Sequence, residues 1–242
     1  MVIRRLVDIL LALLLLGATS PLFVLAALGI RLSSRGPILF RATRIGLHGE
    51  PFTLHKFRTM SVHAPGSGPA ITGRHDARVF PFGALLRRTK IDELPQLFDV
   101  LRGEMAIVGP RPEDPEIVAR YYNERQRQTL AVRPGMTSPG ALFNYTHGDD
   151  YLGQDVERDY VRRLLPVKLE LELVYVQNRS WRYDIWIILR TVATIARMLV
   201  GQRRFQEPPE LRQLRQQKHL TSHTDLAKFL RVDGQGFEGG RP

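Results

Sequence analysis

From Ile9 to Ile30 the chain reads ILLALLLLGATSPLFVLAALGI, 22 residues without a charged side chain. At about 1.5 Å per residue, a helix of that length reaches across the hydrocarbon core of a bilayer. Any fold of this chain must place that surface in lipid or bury it. A cleaved signal peptide is disfavoured: the run is longer than the apolar core of such peptides, and Pro21 stands where cleavage beside Ala18 and Ser20 would fall. Two features bear on whether the segment crosses. Pro21 has no N–H and its ring crowds the Gly17 carbonyl, so a helix through it forfeits a hydrogen bond where water cannot replace it; Ser20 offers a hydroxyl to a freed group. Arg4 and Arg5 precede the run and Arg31 and Arg35 follow it, and basic flanks mark the cytoplasmic side. A helix, a bend at Ser20-Pro21 and a second helix returning to the same face satisfies both signals. Composition alone leaves a kinked bilayer-spanning helix open.

The formal net charge is +11, and +10 of it falls in residues 1–90, where 13 lysines and arginines face three carboxylates. Positive charge beside an apolar segment suits anionic headgroups and phosphorylated ligands. With 43 % hydrophobic and 24 % charged residues, the 242-residue chain has a foldable composition. The absence of cysteine rules out a disulfide framework and a thiolate metal site, so any metal takes oxygen or nitrogen ligands. The seven histidines are scattered, which makes them surface groups rather than ligands, and no HExxH, GxGxxG or P-loop occurs. These absences argue against zinc hydrolases and the common nucleotide-binding folds.

Beyond the apolar run, ILFRATRI (38–45) and PFTLHKF (51–57) flank Gly46-Leu47-His48-Gly49-Glu50, a hairpin pattern. Residues 61–76 read as a loop. Helical spacing runs over 82–101, with Leu94, Leu97, Phe98 and Leu101 on one face and Gly103 as a stop. A polar helix is expected near 113–130, and Pro134-Gly135 and Pro139-Gly140 read as a second loop. Residues 157–178 look helical around Pro166. Residues 185–200 form an apolar helix whose Arg190, Thr194 and Arg197 share one face, either a membrane-surface helix with snorkelling cations or a core helix with a solvated edge. The expected architecture is mainly α with a small β-hairpin. Its divisions are a membrane segment at 1–35, a domain at 36–200 and a polar tail at 201–242.

The basic region contains Lys56-Phe57-Arg58 and Arg87-Arg88-Thr89-Lys90, directly followed by Asp92-Glu93. Thr89-x-x-Asp92 resembles a capping box, with the carboxylates serving a helix start. The chemical alternative is phosphoryl transfer: a carboxylate attacks phosphorus or holds a hard divalent cation while guanidinium and ammonium groups hold phosphate oxygens. A non-catalytic, membrane-anchored binder of anionic lipid or nucleic acid is the competing class. Carboxylates inside the basic patch weaken simple adhesion, and nucleic acid is set aside as a partner.

Five segments in order carry a resemblance: Ser20-Pro21 within the apolar run, SSRGPILFRATRIGLHGEPFTLHKFRTM (33–60), TKIDELPQLFDVLRGEMAIVGPRP (89–112), RPGMT (133–137) and YVQNRSWRYDIWIILRT (175–191). Together they resemble the bacterial sugar transferases, the monotopic phosphoglycosyl transferases, over roughly residues 1–200. The resemblance implies transfer of a phosphosugar from a UDP-sugar to polyprenyl (undecaprenyl) phosphate, releasing UMP, on the cytoplasmic face of a bacterial inner membrane. That reaction opens lipid-linked glycan assembly and requires Mg²⁺. On matching positions, Asp92 is the expected nucleophile and Glu93 its partner, the pair holding the metal. Lys56, Arg58, Arg87 and Arg111 are expected at phosphates, and Ser20 and Pro21 at the bend that makes 1–35 a re-entrant membrane segment, with 36–200 as a cytoplasmic interfacial catalytic domain. Membrane lipids are implied partners, and exposed interfacial helices admit a homodimer. The sequence departs from the family pattern at Ser138-Pro139-Gly140, with Phe143-Asn144-Tyr145 beyond, and this leaves sugar or nucleotide selection open. The last 40 residues have no counterpart in it.

Overall fold

A computed structural model of the chain describes residues 2–62 and 76–217. The loop expected at 61–76 and the end of the expected tail therefore lie largely outside the described residues. The chain is mainly helical, in the order α1 (Val2–Ser33), β1 (Leu39–Ile45), β2 (Pro51–Phe57), α2 (Pro81–Thr89), α3 (Gln96–Arg102), β3 (Ala106–Val108), α4 (Pro115–Tyr121), α5 (Glu124–Arg127), β4 (Gly135–Thr137), α6 (Pro139–Tyr151), α7 (Val156–Asp159), α8 (Leu165–Asn178), α9 (Trp181–Leu199) and α10 (Pro209–Gln217).

The apolar run forms one continuous helix, α1, with Pro21 inside it, where the sequence suggested helix, break and helix. Local hydroxyls explain the continuity. Ser20 Oγ donates to the Gly17 carbonyl at 2.9 Å, the acceptor that Pro21 leaves without its usual N–H, and Thr19 donates to Leu15 at 2.6 Å. Both ends of α1 are fastened to the rest of the protein. Near the start, Arg5 donates to the Val100 and Leu101 carbonyls (2.6 and 2.9 Å), Asp8 accepts from the Ile107 N–H (3.1 Å) and Arg4 pairs with Asp184 (2.9 Å). Near the finish, Ala26 and Ile30 are buried, and Phe23 packs edge-on against Phe57 and Phe98. Leu10, Leu13, Leu14, Leu25 and Leu28 remain exposed, and α1 is long and apolar enough to cross a membrane.

The hairpin forms as the pattern predicts, β1 and β2 pairing antiparallel from Leu39 opposite Phe57 to Ile45 opposite Pro51. Positive φ at His48 (58°) and Gly49 (84°) turns the connection. A second, parallel pair joins β3 to β4. Just beyond β3 the two glycine motifs cross: Gly135 N donates to Pro110 O (2.9 Å) and Gly109 N to Thr137 O (3.0 Å). A Cβ on Gly135 would lie 2.0 Å from Gly109 N, and one on Gly109 would lie 2.3 Å from Arg133 O, so neither position admits a side chain. This crossing fixes where Arg111 emerges.

Three expectations give way. The polar stretch near 113–130 is two short helices, α4 capped by Asp114 and α5 closed by a capping box between Asn123 and Gln126. Pro139-Gly140 opens α6 instead of making a loop, because Ser138 Oγ accepts from Ala141 N (2.9 Å) and proline suits a first helical turn. Residues 209–217, expected in a polar tail, form α10. Its Leu211 and Leu214 join the core of α8, and its Glu210 accepts from Arg190 (2.7 Å) and Tyr183 (2.9 Å). Arg190 thus faces α10 and the Trp186 ring. Only Ile187 of α9 is buried, while Ile185, Leu189 and Val192 are exposed, so α9 is not a core helix with a solvated edge.

Candidate active site

α2 stops at Thr89 because Lys90 adopts a left-handed conformation (φ 60°), and the chain passes directly into a short 3₁₀ turn, Ile91–Glu93. The capping-box explanation of Thr89-x-x-Asp92 fails on this geometry. Thr89 ends a helix, its hydroxyl donating back to Leu85 and Leu86, and no side chain caps the turn that follows. Asp92 and Glu93 are nevertheless buried, each 7 % exposed. Two adjacent carboxylates out of water need compensation.

Glu93 receives nearly all of it. Arg111 Nη2 donates to its Oε1 at 2.6 Å and Nη1 to its Oε2 at 3.4 Å; Tyr145 donates to Oε2 at 2.8 Å, and Lys56 approaches Oε1 at 3.4 Å. Lys90 Nζ lies 3.7 Å above the Tyr145 ring. Burial works to raise the Glu93 carboxyl, but Arg111, Lys56 and Lys90 outweigh it and hold the group well below the usual carboxylate range. Burial also depresses the ammonium groups of Lys56 and Lys90 and raises the Tyr145 hydroxyl, which stays protonated and donates.

Asp92 is the opposite case. Among the described residues its Oδ1 is buried without a hydrogen-bond partner. Burial first, and the neighbouring Glu93 charge second, push its carboxyl up to about 6 against the pull of Lys56, Lys90 and Arg87. Adjacent carboxylates driven apart in this way take different roles: Glu93 is a fixed anion that anchors cations, and Asp92 keeps an uncommitted oxygen.

The sequence-derived set therefore assembles with one exception. Lys56, Arg87, Arg111, Asp92 and Glu93 share one electrostatic neighbourhood. Arg58 does not join it. Its guanidinium donates to Pro37 O (2.5 Å), Ser34 Oγ (2.7 Å), Ser34 O (2.8 Å) and Met60 O (3.2 Å), clamping the chain just after α1. Arg58→Ala is expected to cost about 2 kcal/mol of stability, read as a lower unfolding midpoint, while leaving the affinity for a phosphorylated donor unchanged. Weaker donor binding at unaltered stability would return Arg58 to the phosphates. Ser20 and Pro21 lie in α1 and take no part in the cluster.

Three further groups support the site without having been singled out. Tyr145 comes from α6, some fifty positions along the chain. Buried Glu172 of α8 accepts from the Arg111 N–H (3.2 Å) and Ser138 Oγ (2.7 Å), and burial raises its carboxyl to about 7. A Cβ at Gly140 would lie 2.4 Å from Glu172 Oε1, so the divergent Ser138-Pro139-Gly140 segment is the seat of this carboxyl beneath Arg111. Third, fully buried Asp99 accepts from the His55 N–H (2.9 Å), His55 Nδ1 (2.7 Å) and Arg102 (3.1 Å). His55, expected at the surface, thereby clasps β2 onto α3 beside Lys56.

Among the described residues, no group of three or more His, Asp or Glu side chains is arranged to hold a metal by itself. The free Asp92 oxygen is the donor that fits a hard cation, with the remaining ligands coming from substrate phosphates and water. Both Glu93 oxygens are already engaged.

Residues 1–198 match the sequence profile of the bacterial sugar transferases. The chain belongs to that family. Its relatives include two proteins named UDP-glucose:undecaprenyl-phosphate glucose-1-phosphate transferase, each 37 % identical to it. The one from Caulobacter vibrioides aligns over 203 residues, 79 % of this chain and 69 % of that protein. The one from Escherichia coli aligns over 197 residues, 78 % of this chain and 39 % of that protein. An Aeromonas hydrophila UDP-N-acetylgalactosamine-undecaprenyl-phosphate N-acetylgalactosaminephosphotransferase is 33 % identical over 80 % of this chain and 43 % of its own length. This bacterial sugar transferase thus spans under half the length of the latter two, and the segment shared with all three contains the Asp92-Glu93 turn and Arg111.

Proposed function

We propose that this bacterial sugar transferase moves a sugar 1-phosphate from a UDP-sugar to undecaprenyl phosphate through a covalent intermediate on Asp92. The observation that carries the reading is the division of the acidic pair: Glu93 is consumed by Arg111, Tyr145 and Lys56, whereas Asp92 Oδ1 is bare beside cations. The names of the relatives support the donor and acceptor classes.

In the first step an Asp92 oxygen attacks the phosphorus bearing the sugar. The new carboxyl–phosphorus bond forms as the bond to the bridging oxygen breaks, and UMP leaves with that oxygen. In the second, a phosphate oxygen of the lipid attacks the same phosphorus and the Asp92 carboxylate departs unchanged, leaving a sugar on a polyprenyl diphosphate. Lys56, Arg87 and Arg111 hold the phosphate oxygens, where preorganised positive charge lowers the barrier most. Asp92, with its open oxygen, would hold Mg²⁺, which would neutralise charge on the donor diphosphate. A purely adhesive basic surface is a poorer reading, because Lys56 and Arg111 turn inward onto Glu93.

The reading includes a re-entrant α1 that bends at Ser20-Pro21 while its helix stays continuous, entering the cytoplasmic leaflet without crossing. Arg5 near its start and Ser34 just past its end are bonded to the same polar body, and this supports both termini lying on one side. The exposed apolar residues of α9 suit the same interface. Cysteines introduced at positions 2 and 36 should both label from the cytoplasm; labelling from opposite sides would make α1 a spanning helix.

The activity is tested by UMP release. Protein, UDP-sugar and undecaprenyl phosphate with Mg²⁺ should release UMP, EDTA should stop it and added Mg²⁺ should restore it. No release with any UDP-sugar would overturn the proposed activity.

A further inference from the structure

A cavity of about 220 Å³ opens beside the dyad, walled by Lys56, Gln96, Arg111, Asn144, Tyr160 and Lys168. Its cations are already matched. Lys56 and Arg111 pair with Glu93, and Lys168 pairs with Glu113 at 3.1 Å, which also accepts from Tyr160. Arg44, a further wall residue, pairs with Asp114 at 2.7 Å. What the wall leaves uncommitted is neutral. Among the described residues, the Nε2 of Gln96, which is 1 % exposed, has no partner, and neither has the half-buried Asn144 amide. An orphaned buried amide is costly unless something arrives to bond it.

Position ties these amides to the reacting centre. Gln96 follows Asp92 by four residues through a right-handed helical turn, so the two side chains share one face. Asn144 precedes Tyr145, which bonds Glu93. Lys56 and Arg111 at this wall are the groups that hold phosphate in the proposed transfer, so a sugar ring attached to that phosphate would meet the neutral donors and acceptors beside them.

We infer that this cavity receives the sugar ring of the donor, with the Gln96 and Asn144 amides hydrogen-bonding its hydroxyl or acylamino groups and setting which sugar is accepted. The inference rests on the proposed transfer. Each amide would bond the ring only while phosphorus sits at Asp92, so its contribution falls on discrimination between sugars and leaves the uridine and phosphate contacts alone.

The test compares the protein with Asn144→Ala and Gln96→Met, the latter removing the amide at similar volume in case a smaller side chain at this buried position fails to fold. UMP release is measured with UDP-glucose, UDP-galactose, UDP-N-acetylglucosamine and UDP-N-acetylgalactosamine, and UDP, which has no sugar, serves as a competitive inhibitor. For the preferred donor kcat/KM should fall about tenfold or more relative to the poorest donor, since a site built to bond a group loses discrimination when the bond goes. Inhibition by UDP should stay unchanged. An equal loss for all four donors, or an unchanged ranking in both variants, would overturn the sugar assignment. So would weakened UDP inhibition, which would give the cavity to the nucleotide. If the unaltered protein releases no UMP from any donor, the failure belongs to the transfer reading and not to the cavity.

Discussion

Replacing Asp92 with asparagine is expected to reduce UMP release by about 10⁴-fold or more, the scale seen when a covalent nucleophile is removed. The same substitution is expected to make the protein more stable at pH 8. The Asp92 carboxyl is raised from an ordinary 3.8 to about 6 in the folded protein, mainly by burial and then by Glu93. A raised folded-state value means that this group favours folding below about 4 and that the advantage is lost as pH rises through about 6. At pH 8 the folded chain therefore carries an unfavourably buried charge that asparagine lacks. The expected gain is on the order of 2 kcal/mol, seen as a higher unfolding midpoint at pH 8 and absent at pH 4. Loss of activity together with loss of stability at pH 8 would indicate a structural role for Asp92.

Glu93→Gln should act on both rate and pH profile. Removing the anion releases Arg111, Tyr145 and Lys56 from their common anchor, and loss of positioned electrostatic contacts of this kind costs about 10²- to 10³-fold in kcat. The remaining activity should rise with pH from a lower starting point. Asp92 must be ionised to attack, and the Glu93 charge helps to hold its carboxyl raised, so removing that charge shifts the acid limb downward. A variant that loses activity equally at every pH, with the limb unmoved, would show that Glu93 does not set the Asp92 ionisation.

What the sequence disclosed follows from where the information is stored. The hairpin, the Asp92-Glu93 turn and the basic side chains around it sit in short contiguous motifs, so their chemistry is readable in one dimension. Arg58 misleads because it shares a basic motif with Lys56, yet β2 ends at Phe57 and the side chain turns to Ser34 and Pro37 instead. Tyr145 and Glu172 reach the site from α6 and α8, and local patterns carry no sign of contacts across fifty or more residues. The departure at Ser138–Tyr145 was a sign of a different kind: it marked the place without showing that Gly140 makes room for Glu172 or that Tyr145 bonds Glu93. In α1 the break expected at Pro21 is masked by the hydroxyl of its neighbour Ser20. Residues 209–217 look polar because only Leu211 and Leu214 turn inward, too few to register as a periodic face.

The covalent step is tested most directly by mixing the protein with its UDP-sugar and Mg²⁺ in the absence of undecaprenyl phosphate, quenching, and measuring intact and peptide mass. A stoichiometric burst of UMP should accompany a mass increase of one sugar phosphate on the peptide containing Asp92, and later addition of undecaprenyl phosphate should discharge it. UMP release that requires the lipid and leaves no adduct, or an adduct on a peptide lacking Asp92, would contradict the covalent role.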